Sequence, residues 1–380
     1  MPEPAAARFD RGRYDAVIVG GGPAGCAAAL RFARSGARIL LLERQPSPVF
    51  KPGEIIEPSV RQPLADLGLL ERFMAQGPLT LAGRLVAWDD PIGTETSGIL
   101  NPHGHGFLVD RAHIEGWLID EASSAGVTVV RGIEALHAER AGTNWTVSVT
   151  KDGHNPATAP LLLEATGRGP GVLGTGRRRC LDRLIAFLAY APAPPGVLDQ
   201  RLIIEAAPDG WWYGALLPER RVVLAFLTDA RELPASRAAR RAQWNARLAA
   251  TTHVQTLVAG TDLERLSIRG FPAESSIRET ISGRGWVAVG EAAAAYDPLS
   301  GQGFVAALSK GIALARLVSS GTDMSGSIAL YSAAEEEVFA QYARDRRRIY
   351  GRAARRFALP FWNRGQLPAE SVSARAKIPH

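Results

Sequence analysis

Cysteine is scarce in this sequence, and its scarcity bears on where the protein works. Only Cys26 and Cys180 occur, and neither belongs to a paired redox or metal-binding motif. A secreted protein of this length more often carries disulfides, so we expect a reducing, cytoplasmic location. Cys26 follows a glycine motif at a predicted helix start, where it is interpreted as a small packing residue.

Long hydrophobic stretches are also missing. No apolar run approaches the ~18 residues that a bilayer-spanning helix needs, so no membrane span is predicted. Residues 1–13 are polar and contain proline, without the apolar stretch of a secretory signal. His103 and His105 lie close together, but no third or fourth ligand is near them in the sequence, so no metal site is predicted.

Basic residues are concentrated at one end of the chain. The formal net charge is +6, and ten Lys/Arg against two acids fall within 344–380, which leaves the remainder slightly acidic. No basic stripe with interleaved aromatics runs through the body, so nucleic acid is not an expected partner. Apolar residues from Phe339 to Phe357 recur at helical spacing. The arginines among them suit either a solvated helix face or a docking surface for an acidic partner, and Phe361 and Trp362 are expected to fix this segment to the body.

A dinucleotide-binding motif opens the chain. The apolar run from Tyr14 predicts a buried strand, an alanine-rich helical stretch ends at Gly36, and a second strand ends at Glu43. Between the first strand and the helix lies GGGPAG, in which the spacing allows a tight turn, close backbone approach to a pyrophosphate and close helix packing. The helix start would bind the phosphates and Glu43 the ribose hydroxyls. The residues assigned to the turn are Gly20, Gly22, Pro23, Ala24 and Gly25.

Two later segments add to this motif. Residues 161–168 read LLLEATGR, an apolar strand that runs into a small-residue turn at Gly167. Residues 285–303 read GWVAVGEAAAAYDPLSGQG, a second buried strand followed by a glycine-bearing loop at a helix start. The positive end of that helix dipole would stabilise negative charge on a reduced flavin.

Together these segments resemble the superfamily of FAD-dependent monooxygenases, which includes aromatic hydroxylases and tryptophan halogenases. KPGEIIEPSVRQPLADLGL at 51–69, FLVDRAHIEGWLIDEA at 107–122, DGWWYGALLP at 209–218 and FWNR at 361–364 look similar to the halogenase-like branch. That branch also contains flavoproteins that oxidise tryptophan in partner proteins during tryptophylquinone maturation. The resemblance implies an α/β fold: a glutathione-reductase-type Rossmann FAD-binding domain, an inserted antiparallel-sheet substrate domain and a C-terminal helical segment.

The resemblance also assigns residues to the cofactor. Arg111 is expected at a helix start near the flavin, with a surface salt bridge as its alternative role, and Glu54 is expected to order the flavin-side loop while Glu57 is solvated. Glu291 stands where the family usually has aspartate near the ribityl chain. The other cofactor positions are Arg44 and Gly303, and the loop residues Ser300, Gly301 and Gln302 are placed at the catalytic centre.

Three departures argue against halogenation. The lysine that the halogenases carry after this G-E motif is absent, because no lysine occurs between Glu54 and Lys151. Ser300 stands at the position of their catalytic glutamate, and the tryptophan-rich signature at 211–216 lacks its isoleucine and proline. We therefore expect hydroxylation of an electron-rich aromatic substrate through a flavin C4a-hydroperoxide. Halogenation, an isoprenoid-type flavin reductase and a non-catalytic flavin-bound partner protein remain as alternatives.

The substrate side is expected in residues 82–106 and 177–270. Successive strands there predict an antiparallel sheet over the flavin, with a helix near 235–250. The FAD-binding domain is assigned to 1–81, 107–176 and 271–325, and the C-terminal helical region with its basic tail to 326–380. The candidate substrate contacts are Trp211, Trp212, Tyr213 and His105, with Trp211 and Tyr213 on one face of their strand and Trp212 on the other.

The expected partners are an aromatic small molecule, a peptide or a carrier-bound substrate, with O2 as co-substrate. No second glycine motif for a nicotinamide cofactor is present. Electrons would come from NAD(P)H directly or from a separate flavin reductase that delivers reduced flavin.

Overall fold

The computed structural model describes residues 14–150, 156–174, 176–321 and 323–364. The strands in chain order are β1 Ala16–Val19, β2 Ile39–Glu43, β3 Ile55–Ile56, β4 Leu79–Leu81, β5 Gly83–Ala87, β6 Thr94–Ser97, β7 Gly106–Leu108, β8 Thr128–Arg131, β9 Ala135–Ala141, β10 Asn144–Val149, β11 Ala157–Ala159, β12 Leu161–Glu164, β13 Arg178–Cys180, β14 Leu184–Pro192, β15 Arg201–Ala207, β16 Gly210–Leu217, β17 Arg221–Asp229, β18 Arg269–Pro272, β19 Ser276–Arg278, β20 Ser282–Gly283, β21 Trp286–Ala288 and β22 Ala294–Ala295. The α-helices are α1 Pro23–Ala33, α2 Arg61–Asp66, α3 Leu70–Met74, α4 Arg111–Ser124, α5 Arg237–Ala249, α6 Gly303–Ser320, α7 Met324–Ala353 and α8 Pro360–Arg364.

A six-stranded sheet with the order β20-β21-β12-β1-β2-β8 forms the nucleotide-binding half of the fold. Its strands run parallel except for the antiparallel pair β20–β21. The central strands β1, β2 and β12 are continuous apolar runs because both of their faces are covered. One face packs against α1, α4 and α6, and the other packs against the antiparallel sheet β9-β10-β11 and two residues of α7, Phe339 and Tyr342.

Small residues let α1 and α6 approach each other closely. A Cβ on Gly311 of α6 would lie 2.3 Å from the carbonyl oxygen of Ala24 in α1, so only glycine fits there. A Cβ on Gly290, in the turn before α6, would lie 2.6 Å from the Cβ of Ala24. The first glycine motif and the late glycine-bearing segment therefore lie side by side, as the sequence predicted.

A seven-stranded sheet with the order β18-β14-β17-β16-β15-β5-β6 forms the other half. The four apolar strands expected after residue 177 are β14 to β17, and the predicted helix near 235–250 is α5. The expectation of a purely antiparallel sheet is wrong at one position, because β15 pairs with β5 in parallel. No hairpin joins these two strands, since the nucleotide-binding segments lie between them in the chain.

The seven-stranded sheet does not match the expected segment 177–270 at either end. β18 pairs with β14 and carries the sheet to Pro272. β13, by contrast, pairs with β19 in a three-stranded sheet, β13-β19-β22, rather than with the seven-stranded sheet.

The two faces of the seven-stranded sheet have different covers. Trp211 and Tyr213 lie on the face that packs against β4, β7 and α7, whereas Trp212 lies on the face that packs against α5. The predicted alternation of these three aromatics is therefore confirmed. Phe361 and Trp362 are buried on the Trp211 face, which confirms that they fix the C-terminal segment to the body. Residues 365–380, which hold the rest of the basic tail, lie outside the described residues.

Helix α6 has the length and apolar composition to cross a membrane, so the expectation that no segment has these properties is wrong. Half of this helix is buried inside the molecule. Its packing against α1 and the six-stranded sheet accounts for its apolar composition.

Candidate functional site

The turn after β1 shows why glycine occupies its first and last motif positions. Gly20 has a φ of +112°, and a Cβ there would lie 2.3 Å from the carbonyl oxygen of Ala165. A Cβ on Gly25 would lie 2.1 Å from the carbonyl oxygen of Gly20. Both glycines are thus required for α1 to start against the turn that follows β12.

Gly22 faces open space instead. A Cβ on Gly22 would have no neighbour within 4 Å, and no side chain caps the start of α1. The helix start therefore presents its backbone N–H groups and its positive dipole end to that space, which is the arrangement that binds phosphate.

Glu43 closes one side of this turn. Its carboxylate accepts hydrogen bonds from the backbone N–H of Gly21 at 2.7 Å and of Gln45 at 2.8 Å. A carboxylate has about four lone-pair positions, so it retains capacity for hydroxyl groups of a ligand. Thr166 lies beside Gly20, in the turn that follows β12. Its buried hydroxyl has no hydrogen-bond partner among the described residues.

Arg111 links three elements rather than forming an isolated surface salt bridge. From the start of α4, its Nε donates to Glu115 at 2.8 Å and one terminal nitrogen donates to the carbonyl of Gly53 at 3.2 Å. Its guanidinium carbon lies 4.8 Å from the ring centre of Phe304, the second residue of α6. The side chain is only 15% exposed. Arg111 thus joins the 51–54 loop to the start of α6.

The loop before α6 is shaped by Gly301 and Glu57. Gly301 has a φ of +63°, and a Cβ there would lie 2.5 Å from a carboxylate oxygen of Glu57. Glu57 is held by Arg84 of β5, so the expectation that Glu57 is solvated is wrong. The next residue, Gln302, begins α6 without a side-chain cap, and a Cβ on Gly303 would meet nothing within 4 Å.

Asp297 connects the same loop to α7. This buried carboxylate accepts from the backbone N–H of Leu299 at 2.9 Å, from Nε of Arg346 at 3.0 Å and from the Tyr350 hydroxyl at 2.6 Å. Burial raises the pKa of Asp297, and the positive charge of Arg346 partly offsets that rise. Arg346 also pairs with Asp182 at 3.1 Å. Helix α7 is therefore tied to the loop by charge and hydrogen bonds.

Glu54 connects the 51–54 loop to the seven-stranded sheet. It is 3% exposed and accepts hydrogen bonds from the Tyr190 hydroxyl of β14 and the backbone N–H of Gly53. Burial raises the pKa of Glu54, while those two hydrogen bonds and Arg111 act in the opposite direction. Tyr213 lies near enough that the negative charge of Glu54 adds to the rise in its pKa that burial causes.

Comparison with known proteins agrees with this geometry. An FAD-binding domain family matches residues 13–168. A putative FAD-dependent oxidoreductase, LodB from Marinomonas mediterranea, is 27% identical over 92% of this chain and 96% of that protein. Tryptophan 2-halogenase from Chondromyces crocatus is 27% identical over 94% of this chain and 71% of its own. The solved structure of peptidyl tryptophan dihydroxylase QhpG, described as essential for tryptophylquinone cofactor biogenesis, has a TM-score of 0.76 and 26% identity over 93% of this chain and 79% of that one.

The chain contains an FAD-binding domain at residues 13–168 and is similar over nearly its whole length to FAD-dependent oxidoreductases and halogenases. It is an FAD-dependent oxidoreductase, as the sequence predicted. The residues present fit FAD: an uncapped helix start behind Gly22, an acceptor at Glu43, and an unpartnered buried hydroxyl at Thr166. The start of α1 would hold the pyrophosphate and Glu43 the ribose.

Two of the residues assigned to the cofactor are paired with other side chains of the protein. One carboxylate oxygen of Glu291 is paired with Arg168 of the ATGR turn at 3.2 Å, and its contact with the cofactor stays a prediction. Arg44 extends toward Glu134, 3.7 Å away, and its side chain is 68% exposed. Gly167 has a φ of +64° and open space around its Cβ position, which suits a turn close to a ligand.

The four candidate substrate residues do not all lie together, although Trp211 and Tyr213 share one face of the sheet. Trp212 packs between Phe226 and Trp244 under α5, and Trp211 donates to the Tyr350 hydroxyl at 2.9 Å, so both indoles are core residues. Tyr213 lies near enough to Glu54 for the charge of that carboxylate to raise its pKa. The ring of His105 packs against Gly98, and its Nδ1 has no partner among the described residues, so its role stays a prediction.

Sequence reasoning missed several residues that complete the site. Tyr190, Arg84, Arg346 and Tyr350 come from strands or from the C-terminal helix, and none belongs to a motif. The DPLSGQG segment contained one usable signal, because Asp297 precedes a proline and a glycine turn in the position that caps a short helix.

Proposed function

We propose that this flavoprotein hydroxylates an electron-rich aromatic substrate with O2. The observation that carries the proposal is the hydrogen bond between Glu54 and Tyr190. It joins the loop held by Arg111 to the sheet face that carries Tyr213. An aromatic ring held against that face would lie between the sheet and the start of α6.

Aromatic side chains line the approach to Glu54. The ring of Phe50 meets Tyr190 edge to face at 5.0 Å and lies 5.9 Å from Phe271. Phe50 is 40% exposed, and Tyr190 is half-buried. Offset and edge-to-face contacts of this kind suit a planar aromatic substrate, which supports the substrate class.

The chain's own residues would position the reactants and manage one proton. FAD, when bound, supplies the reaction with O2. The uncapped start of α6 would stabilise negative charge at the flavin edge, with Gly301 and Gly303 allowing close backbone approach. Glu54 keeps its proton to a higher pH than an ordinary carboxyl group, so it suits proton exchange with the substrate through the Tyr190 hydroxyl. The packed sheet would exclude water.

Halogenation is the second candidate, and the likeness to tryptophan 2-halogenase favours it. The side chains of the described residues argue against it. Lys51 pairs with Glu115 at 2.5 Å, and Lys310 pairs with Glu335, so neither of the two lysines in the described ranges has a free ammonium group. Ser300, in the loop before α6, offers a hydroxyl rather than a carboxylate.

The two candidates are separated by product analysis. The reduced holoprotein is mixed with isotopically labelled O2 and a panel of phenols, indoles and tryptophan-containing peptides, with and without bromide. We expect a product that carries one labelled oxygen atom, with the other in water, and that is unaffected by bromide. A brominated product, or oxygen consumption without any change in the aromatic compounds, would overturn the proposal.

A matched pair of tyrosine variants tests the role of Tyr190. Tyr190→Phe should lower kcat/KM by about a hundredfold, because proton transfer through that hydroxyl is lost. Tyr14→Phe makes the same chemical change away from the site and should leave turnover unchanged. Bound FAD, read from its visible absorbance, should be retained in both. Equal turnover in the two variants would remove Tyr190 from the mechanism.

A further inference from the structure

A cleft lies on the far side of the seven-stranded sheet, between that sheet and α5. Its floor is aromatic and is formed by Phe187, Phe226 and Trp244. Phe187 and Phe226 are neighbours in register, and Trp212 is the next neighbour of Phe226 across the sheet, so their side chains share one face. Trp211 and Tyr213 lie on the opposite face. The cleft is thus separated from the candidate active site by the thickness of the sheet.

Arginines form the rim of this cleft. Arg237, Arg240, Arg241 and Arg247 recur along one side of α5, and all four line the cleft. The helix Arg237–Ala249 contains no acidic residue, and its first turn is basic, which opposes the helix dipole. The chain therefore maintains a positive rim at a place where helix stability favours the opposite sign.

Most of this positive charge is not neutralised by carboxylates within the molecule. Arg240 donates to the carbonyls of Pro234 and Ala235, and Arg241 donates to carbonyls of residues 263–266. Arg237 has no ion-pair partner within the described part of the chain. Arg247 differs, because it pairs with Asp209 and lies 4.8 Å from the ring centre of Phe226.

We propose that the cleft under α5 is a docking site for an acidic segment of a protein partner, which places one apolar side chain against Phe187, the partly exposed aromatic residue of the floor. The positive rim complements carboxylates, and arginine forks bind them with two parallel hydrogen bonds. The apolar floor supplies the kind of anchoring pocket that concentrates binding energy in protein interfaces. A nucleic acid is the less suitable occupant, because the chain outside the C-terminal tail is slightly acidic and would repel an extended phosphate backbone.

Direct binding measurements on the FAD-loaded full chain test this site. The probe is a synthetic peptide of alternating glutamate and leucine with one central phenylalanine, followed by fluorescence anisotropy of a neutral dye at low and moderate salt. The double variant Arg237→Glu with Arg241→Glu should weaken binding at least about tenfold. The matched control is Arg347→Glu with Arg348→Glu, which makes the same charge change on exposed arginines of α7 and should bind as the wild type does.

A change in the peptide tests the apolar floor without altering the protein. Replacing the central phenylalanine of the peptide by serine should weaken binding by about tenfold at every salt concentration, because that contribution is hydrophobic. FAD absorbance and oxygen uptake should be the same in all protein variants, so the outcome is independent of the proposed hydroxylation.

Three outcomes would overturn the docking proposal. The first is that the wild type fails to bind the peptide. The second is that both double variants weaken binding equally, which would reduce the effect to net charge. The third is that a single-stranded oligonucleotide binds the α5 cleft more tightly than the acidic peptide does.

Discussion

At the scale of single residues, the glycines of the first turn have separate tasks that the sequence motif does not distinguish. Gly25 is required by the protein's own backbone, since a Cβ there would lie 2.1 Å from the carbonyl oxygen of Gly20. Gly22 has no such neighbour, and its φ of −71° is accessible to alanine. The demand for glycine at that position therefore comes from what approaches the turn from outside.

A pair of alanine variants separates these tasks. Gly25→Ala should destabilise the protein by about 1–3 kcal/mol or more, because α1 must shift away from β1. Gly22→Ala should leave the apoprotein as stable, or more stable by about 0.4–1 kcal/mol, yet lower its affinity for FAD. Denaturant unfolding of the apoprotein and titration with FAD measure the two effects. Unchanged FAD affinity in Gly22→Ala would mean that the pyrophosphate does not pass this turn.

Residue-level prediction succeeded where local chemistry decides and failed where packing decides. The turn glycines and the alternation of Trp211 and Trp212 follow from φ/ψ limits and from the two-residue period of a strand. Substrate contact for Trp211 and Trp212 did not follow, because an aromatic strand residue looks the same in sequence whether it meets a ligand or a helix. Tyr350 and Trp244 are the residues that occupy those faces.

At the scale of elements, α7 does more than present a basic surface. The sequence predicted a helix with crowded arginines, and the helix is Met324–Ala353. Arg346, however, is 6% exposed and is shared between Asp297 and Asp182, whereas Arg347 and Arg348 are exposed. Helical periodicity could not make this distinction, because Asp297 lies 49 residues away in the chain.

Removing the buried arginine should therefore affect the loop that begins α6. Arg346→Ala leaves the buried carboxylate of Asp297 and the partly buried one of Asp182 without this counter-charge, and should cost about 3–5 kcal/mol of the free energy of unfolding. Arg348→Ala is the matched control, because it makes the same substitution at an exposed arginine of α7. It should change the free energy of unfolding by no more than about 0.5 kcal/mol. Urea unfolding monitored by circular dichroism gives both values. Equal stability of the two variants would show that Arg346 does not hold the loop.

At the scale of the whole molecule, Glu54 joins the two halves of the fold across 136 residues of sequence. Burial raises its pKa in the folded protein above the ordinary value of 4.5. A raised carboxyl pKa means that the folded state holds the proton more tightly than the unfolded chain does. The stabilisation from this group is therefore complete below the ordinary pKa and is lost as the pH rises through the raised value.

The variant Glu54→Gln should remove this pH dependence. The free energy of unfolding of the wild type should fall relative to that of Glu54→Gln as the pH rises from the ordinary carboxyl range toward neutrality. Thermal or urea unfolding over that pH range gives the difference curve. Glu57→Gln is the matched control, since Glu57 lies on the same segment as Glu54 and is paired with Arg84 of β5. A wild-type free energy of unfolding that rises relative to that of Glu54→Gln as the pH increases would contradict the raised pKa of Glu54.

The order of the elements and the meeting of the two glycine-rich segments could be predicted, because both depend on local motifs and on a resemblance that spans nearly the whole chain. The cross-links between halves could not. Glu54 with Tyr190, and Glu57 with Arg84, join segments that are distant in the chain and meet in the folded sheet, where β5 pairs with β15 in parallel. Such contacts leave no periodic signal in the sequence.

The burial of Trp362 has a consequence for how the polypeptide acquires its shape. Its indole donates to the carbonyls of Ala207 and Pro208 and completes the cover of a sheet whose first strand begins at Gly83. During translation, the cover of this apolar face therefore stays incomplete until residue 362 has left the ribosome. Nascent chains should consequently depend on holdase chaperones for most of their synthesis, and early termination should yield aggregates rather than a smaller working flavoprotein.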